Sequence, residues 1–72
     1  MEQYILMDLE RTLSSGVPAF WRSNKRGYSY NIHEAGLYLE EEAEKIVKED
    51  FDKKTVKISL TTVENILSIK VR

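Results

Sequence analysis

The sequence predicts a small α+β domain, in which one antiparallel sheet is packed by a single main helix in the order β-β-β-α-β-α. Three observations carry that expectation. Residues 55–60, TVKISL, alternate polar and apolar as a strand with one wet face does. Residues 39–49 place Ala43, Ile46 and Val47 at helical spacing behind three consecutive glutamates. NKRG at 24–27 lies between two aromatic-rich runs and has the residues of a hairpin turn. Strands segregated from one main helix are the pattern of a sheet covered on one face.

Along the chain, residues 4–9, YILMDL, read as a buried strand. Residues 14–18, SSGVP, read as a loop, because Gly16 tolerates a positive φ and Pro18 stops a helix. Residues 19–23 and 28–32 form the hairpin. Its register decides which side chains share a face. A four-residue loop pairs Ser23 with Tyr28 and Trp21 with Tyr30, gathering Ala19, Trp21, Tyr28, Tyr30 and Ile32 on one face. A three-residue loop with a glycine bulge pairs Asn24 with Tyr28 and Arg22 with Tyr30, and puts Phe20 and Ile32 on the tyrosine face. Both registers are open, and the first sorts the apolar residues better. A turn at Ala35-Gly36 precedes the helix, which runs from Leu39 or Glu40 to Lys48 or Glu49. Its first turn holds Glu40, Glu41 and Glu42, where the dipole favours negative charge. Leu39 and Phe51 extend the inward stripe at its two ends, and Glu41–Lys45 and Glu44–Lys48 add support one turn apart. Residues 50–54 are a loop. In the strand that follows, Val56, Ile58 and Leu60 point inward while Thr55, Lys57 and Ser59 point out. Thr61 with Glu64 then forms a capping box for a short terminal helix.

Seventy-two residues make a single domain spanning 1–72 with a thin core. Cysteine is absent, so neither a disulfide framework nor a thiolate metal site is expected, which suits a reducing compartment. The longest apolar runs are far short of the roughly 18 residues of a membrane span. The opening MEQYILMDLER lacks the basic and long apolar regions of a signal peptide. The expected address is therefore the cytoplasm, with no membrane association.

Net charge is −1, which disfavours general nucleic-acid binding. Its distribution is uneven: residues 1–10 carry −3, residues 11–33 carry +4 without one acid, residues 34–52 carry −6 and residues 53–72 carry +4. Alternating blocks attract one another in a fold, and the acid-free block also offers a local anion site.

No catalytic or metal-binding set emerges. His33 is the only histidine, and no nucleophile-elbow spacing links it to Ser14 or Ser15. Glu40, Glu41 and Glu42 are adjacent in a helix and point in different directions. Neither a phosphate-loop motif nor GxGxxG is present. Binding without catalysis, and without a cofactor or metal, is the expectation.

The remaining chemistry lies in residues 20–31, FWRSNKRGYSYN, which hold four of the seven aromatics and three of the eleven basic residues. Aromatic faces stack on nucleobases, and nearby cations satisfy phosphates. Trp21, Arg22, Lys25, Arg26, Tyr28 and Tyr30 are the candidate ligand-binding residues. The same composition suits a protein interface, for which Phe20, Tyr38 and the acidic residues Glu40, Glu41 and Glu44 are candidates.

These residues also carry a resemblance. FW, a basic loop, GYSYNIHEAGLY and EEEAEKIV resemble a group of small proteins of bacteriophages and prophages with an aromatic-W, GYT, AG-Y, EEA pattern. The similarity covers residues 4 to about 60, with Phe20, Trp21, Gly27, Tyr28, Ala35, Gly36, Tyr38, Glu42 and Ala43 at matching positions. Ser29 stands where threonine is common, and Leu39 where a serine or threonine helix cap is expected. What the resemblance implies is an accessory protein acting in the bacterial host cell, many such proteins being inhibitors of host immunity. Some bind an immune protein, and others form small oligomers that act as sponges for a nucleotide signal. Sequestration of a nucleotide-type immune signal is the leading expectation. Inhibition of a host defence protein is the alternative, DNA-binding regulation is the third, and homo-oligomers are expected in each.

Overall fold

The computed structural model describes residues 2–71. Its elements are β1 (Gln3–Asp8), α1 (Leu9–Ser15), β2 (Phe20–Trp21), β3 (Tyr28–Ser29), β4 (Tyr38–Leu39), α2 (Glu40–Glu49), β5 (Thr55–Ser59) and α3 (Leu60–Leu67). Short 3-10 turns occupy Ser23–Lys25 and Ile32–Glu34. This is the α+β class that the sequence predicts, with an antiparallel sheet in the order β3-β2-β1-β4 and with β5 also paired to β1. No helix among the described residues is long and apolar enough to cross a membrane.

β1 organises the sheet. Successive residues of a strand bond to opposite neighbours, and here Leu9 donates to the Lys54 carbonyl at 2.6 Å on one edge while Asp8 donates to Ala19 at 2.9 Å on the other. β5 runs along the first edge, from Tyr4↔Ser59 to Asp8↔Thr55. The second edge is shared, with Met7 opposite Phe20 of β2, and Gln3 and Tyr4 opposite Leu39 and Tyr38 of β4.

Consecutive strand residues face opposite sides, yet Ile5 and Leu6 are both 0 % exposed. Both faces of the sheet are therefore covered. Ile5 packs with Phe20, Ala35, Val63 and Val71, beneath α3. Leu6 packs with Tyr38, Ala43 and Ile46, beneath α2. The expected wet face of β5 is corrected accordingly. Thr55 is buried and donates to Asp50 Oδ2 at 2.8 Å, and the Lys57 ammonium reaches Glu44 Oε1 at 2.8 Å above the Tyr4 ring.

α1 replaces part of what reads as loop. The Asp8 carboxylate accepts from the Arg11 N–H at 3.2 Å, and Gly16, at φ 80°, closes the other end on the Thr12 carbonyl. This helix buries none of its residues, so no amphipathic stripe announces it. α2 lies where its stripe predicts, but Leu39 and Phe51 do not extend that stripe, since Phe51 is 96 % exposed and Leu39 is also exposed. Glu42 accepts the Leu39 N–H at 3.1 Å, one half of a capping box without a capping side chain. α3 begins earlier than expected, because Ser59 and not Thr61 caps it, accepting from the Thr62 N–H at 3.1 Å. Glu64 instead accepts the Val71 N–H at 3.0 Å.

The hairpin adopts neither expected register. Phe20 opposes Ser29 and Trp21 opposes Tyr28, and Arg22 donates to the Gly27 carbonyl at 2.8 Å around a loop of Ser23 to Arg26. The slip from the first expected register is two residues, an even number, so Trp21 and Tyr28 still share a face. Ile32 leaves that face and packs on the α3 side. Contacts from outside the hairpin select this register. The Gly36 N–H donates to the Trp21 carbonyl at 2.8 Å, and the Tyr38 hydroxyl donates to the Arg22 carbonyl while accepting the Lys25 N–H at 3.1 Å.

Candidate functional site

A cleft of about 530 Å³ opens between α1, the hairpin, the end of α2 and the start of β5. It brings together four of the six candidate ligand-binding residues, Trp21, Lys25, Tyr28 and Tyr30. Trp21 and Tyr28 meet edge to face, with ring centroids 5.6 Å apart at 74°, a favourable aromatic geometry. Tyr30 lies just beyond β3 and is largely exposed. The Trp21 Nε1 is buried and has no hydrogen-bond partner.

Arg22 and Arg26 do not line this cleft. Arg22 neighbours Trp21 in an extended strand and so projects from the opposite face. There its guanidinium pairs with Glu34 Oε1 at 2.9 Å, an oxygen that also accepts from the Ser29 hydroxyl at 2.5 Å. Arg26 is exposed in the loop. His33 lies in the Ile32–Glu34 turn, away from the cleft.

Two other cations take their place. The Arg11 guanidinium lies 4.2 Å from the Tyr28 ring centroid and 3.6 Å from Asp8 Oδ2. Lys54 pairs with Glu10 at 2.5 Å and stands 3.7 Å from Asp52. Arg11 belongs to the acid-free block of the sequence, which is the signal that includes it. Lys54 carries no local signal, because β1–β5 pairing brings it across the cleft from residues far away in the chain.

The candidate interface residues do not form one surface, and two of them are corrected outright. Phe20 is 8 % and Tyr38 5 % exposed, both within the core, and burial pushes the Tyr38 phenol pKa up. Glu40 accepts from the Tyr4 hydroxyl at 3.1 Å, and Glu44 is held by Lys57. Glu41 remains exposed.

The ion pairs set a dependence on pH. Hydrogen bonding by Lys54 holds the Glu10 carboxyl below its ordinary pKa, as Lys57 does for Glu44. Asp50 is held low by the Thr55 hydroxyl first, and then by the N–H groups of Lys54, Asp52 and Thr55. The carboxylates raise Lys54 and Lys57 in return. A depressed carboxyl pKa gives stability that is complete above the unfolded-chain value and is lost as pH falls through the folded one. A raised lysine pKa gives stability that is complete below the unfolded-chain value and is lost as pH rises through the folded one. Melting temperature against pH should therefore form a plateau between roughly pH 6 and 9 and fall on both sides. Asp50→Asn should flatten the acidic limb, and an acidic limb unchanged by that substitution would overturn the assignment.

Among the described residues, no three His, Asp or Glu side chains converge as a metal site. No protein-family model matches the chain, and neither does any curated protein or solved structure.

Proposed function

We propose that the protein is a non-enzymatic binding protein that captures a nucleotide-class ligand in this cleft. The base stacks on the aromatic wall of Trp21, Tyr28 and Tyr30, and the phosphate meets Lys25 with Arg11 beside it. The observation that carries this reading is that three aromatic residues, Trp21, Tyr28 and Tyr30, and one cation, Lys25, line the same cleft. In the setting of the bacteriophage resemblance, capture of this kind sequesters a host immune signal in the bacterial cytoplasm. Homo-oligomerisation through the outer edge of β5, which faces away from β1, is compatible with that role.

A second reading, inhibition of a host defence protein, would draw on exposed side chains outside the cleft. Leu13, Phe51 and Ile66 are exposed apolar side chains that contribute nothing to the core. An interface built on the acidic residues Glu40, Glu41 and Glu44 is weakened, because Glu40 and Glu44 already have partners. DNA binding has the least support: Arg22 is held by Glu34, and Asp8, Glu10, Glu49 and Asp50 border the cleft.

Trp21 is the only tryptophan in the chain, so its fluorescence reports on the cleft directly. Titration with a series of nucleotides that includes cyclic oligonucleotides and ADP-ribose should give, for at least one member, a saturable emission change and a rise in melting temperature. At a ligand concentration 100 times Kd, the stabilisation should be about 2.7 kcal/mol. No emission change and no thermal shift with any nucleotide would overturn capture in this cleft.

A further inference from the structure

The charges around the cleft differ in how far they are already committed. Lys54 is engaged by Glu10 at 2.5 Å and Asp52 at 3.7 Å. Arg11 is shared between Asp8 and the Tyr28 ring. Lys25, whose backbone N–H is taken by Tyr38, has no carboxylate partner for its ammonium among the described residues. Asp8, Glu10, Glu49 and Asp50 line the same cleft. Asp8 and Glu10 are the partners of Arg11 and Lys54, so the acids of the lining without a cation partner among the described residues are Glu49 and Asp50. One negative charge finds one uncommitted cation here. A second and third would be held among carboxylates, and like charges at close range repel.

The backbone at Lys25 points the same way. Lys25 has φ 58° and Asn24 φ 57°, so two consecutive non-glycine residues occupy the left-handed region. Asparagine tolerates that conformation and glycine adopts it freely, whereas lysine is disfavoured there. The strain is held from below. The Lys25 N–H donates to the Tyr38 hydroxyl, which donates onward to the Arg22 carbonyl, and Tyr38 itself is buried in the core. A glycine would satisfy the same turn without strain, but it would leave the cleft without its free cation. Strain that the surroundings over-determine is characteristic of ligand-contacting positions.

We propose that the cleft selects nucleotides with one phosphate per base over di- and triphosphates, and that Lys25 is the residue that sets this preference. The inference rests on the nucleotide reading above. Lys25 supplies a single charge-assisted contact to the phosphate, and the surrounding carboxylates exclude a longer polyphosphate.

The test is a Trp21 fluorescence titration with the nucleoside, 5′-monophosphate, diphosphate and triphosphate of adenine, and the same series for guanine and uracil. For the best-bound base, the monophosphate should bind at least tenfold more tightly than the nucleoside and severalfold more tightly than the triphosphate. Lys25→Gly should raise the melting temperature and reduce monophosphate affinity to that of the nucleoside. Asn24→Gly, which relaxes the same turn and keeps the cation, should raise the melting temperature and leave affinity unchanged. Triphosphate binding as tight as monophosphate binding would overturn the inference and leave the nucleotide reading standing. Wild-type affinity in Lys25→Gly would overturn the inference and the Lys25 contact of that reading but leave capture of the base on the aromatic wall. If no nucleoside or nucleotide binds, both fall together.

Discussion

Gly36→Ala is expected to be among the most damaging single substitutions in this chain, although it adds only one methyl group. A Cβ on Gly36 would stand 2.5 Å from the Ser23 nitrogen, 2.7 Å from the Ser23 Cα and 2.8 Å from the Arg22 carbonyl carbon. These are backbone atoms, so no side chain can rotate away to make room. The Gly36 N–H also donates to the Trp21 carbonyl at 2.8 Å, so the contact that the methyl group disrupts is the one that pins the hairpin. Overpacking of this kind costs about 1–3 kcal/mol, and contact with backbone belongs at the upper end. In a domain of this size that is roughly 10–20 °C in melting temperature. The displaced segment carries Trp21 and Lys25, so Trp21 emission should shift and ligand affinity should fall as well. A Gly36→Ala protein that melts within a few degrees of wild type would show that residues 35–37 do not fix the register.

Leu6→Ala should be comparably severe, by the opposite mechanism. Leu6 is fully buried against Tyr38, Ala43 and Ile46, and truncating a leucine in such a site costs about 2–5 kcal/mol. A domain of this length has roughly 4–11 kcal/mol in total, so between a fifth and all of the stability is removed. Urea denaturation should show a large fall in midpoint with the slope unchanged, as expected for lost packing in an intact fold. Phe51→Ala makes the matching control. Phe51 continues the α2 stripe in the sequence but is almost fully exposed, and its loss should change stability by less than about 0.5 kcal/mol. A larger effect at Phe51 than at Leu6 would reverse the assignment of the core.

The segments that are legible in the sequence are those that repeat their own period. β5 alternates over several residues, and α2 shows three stripe positions behind an acidic first turn, so both lie close to where they are expected. α1 buries none of its residues and is capped by Asp8 and Gly16 at its ends, so no apolar stripe reveals it and its caps are the available signal. β4 is two residues long, which is too short to show alternation. The hairpin exists as expected, but its register depends on Gly36 and Tyr38, and turn residues alone do not carry that information. The candidate site divides in the same way. Trp21, Tyr28, Tyr30 and Lys25 come together because one hairpin presents them. Arg22 is lost because it alternates with Trp21, and Lys54 is gained through strand pairing that no local window contains. The wet face assigned to Thr55 and Lys57 failed because α2 settles over it, which the pattern of β5 alone does not disclose.

The pairing of β1 with β5 bears on how the chain reaches this state. The two strands are separated by about 50 residues, and contacts of such long range slow folding because loop closure precedes any gain from pairing. During synthesis at about 5–20 residues per second, β1 emerges roughly 3–10 s before its longest partner exists. Throughout that interval the apolar run Tyr4, Ile5, Leu6 and Met7 lacks the partner that covers its longest edge. Partial translation products of this protein are therefore its most aggregation-prone species, and the nascent chain is where a chaperone would matter most.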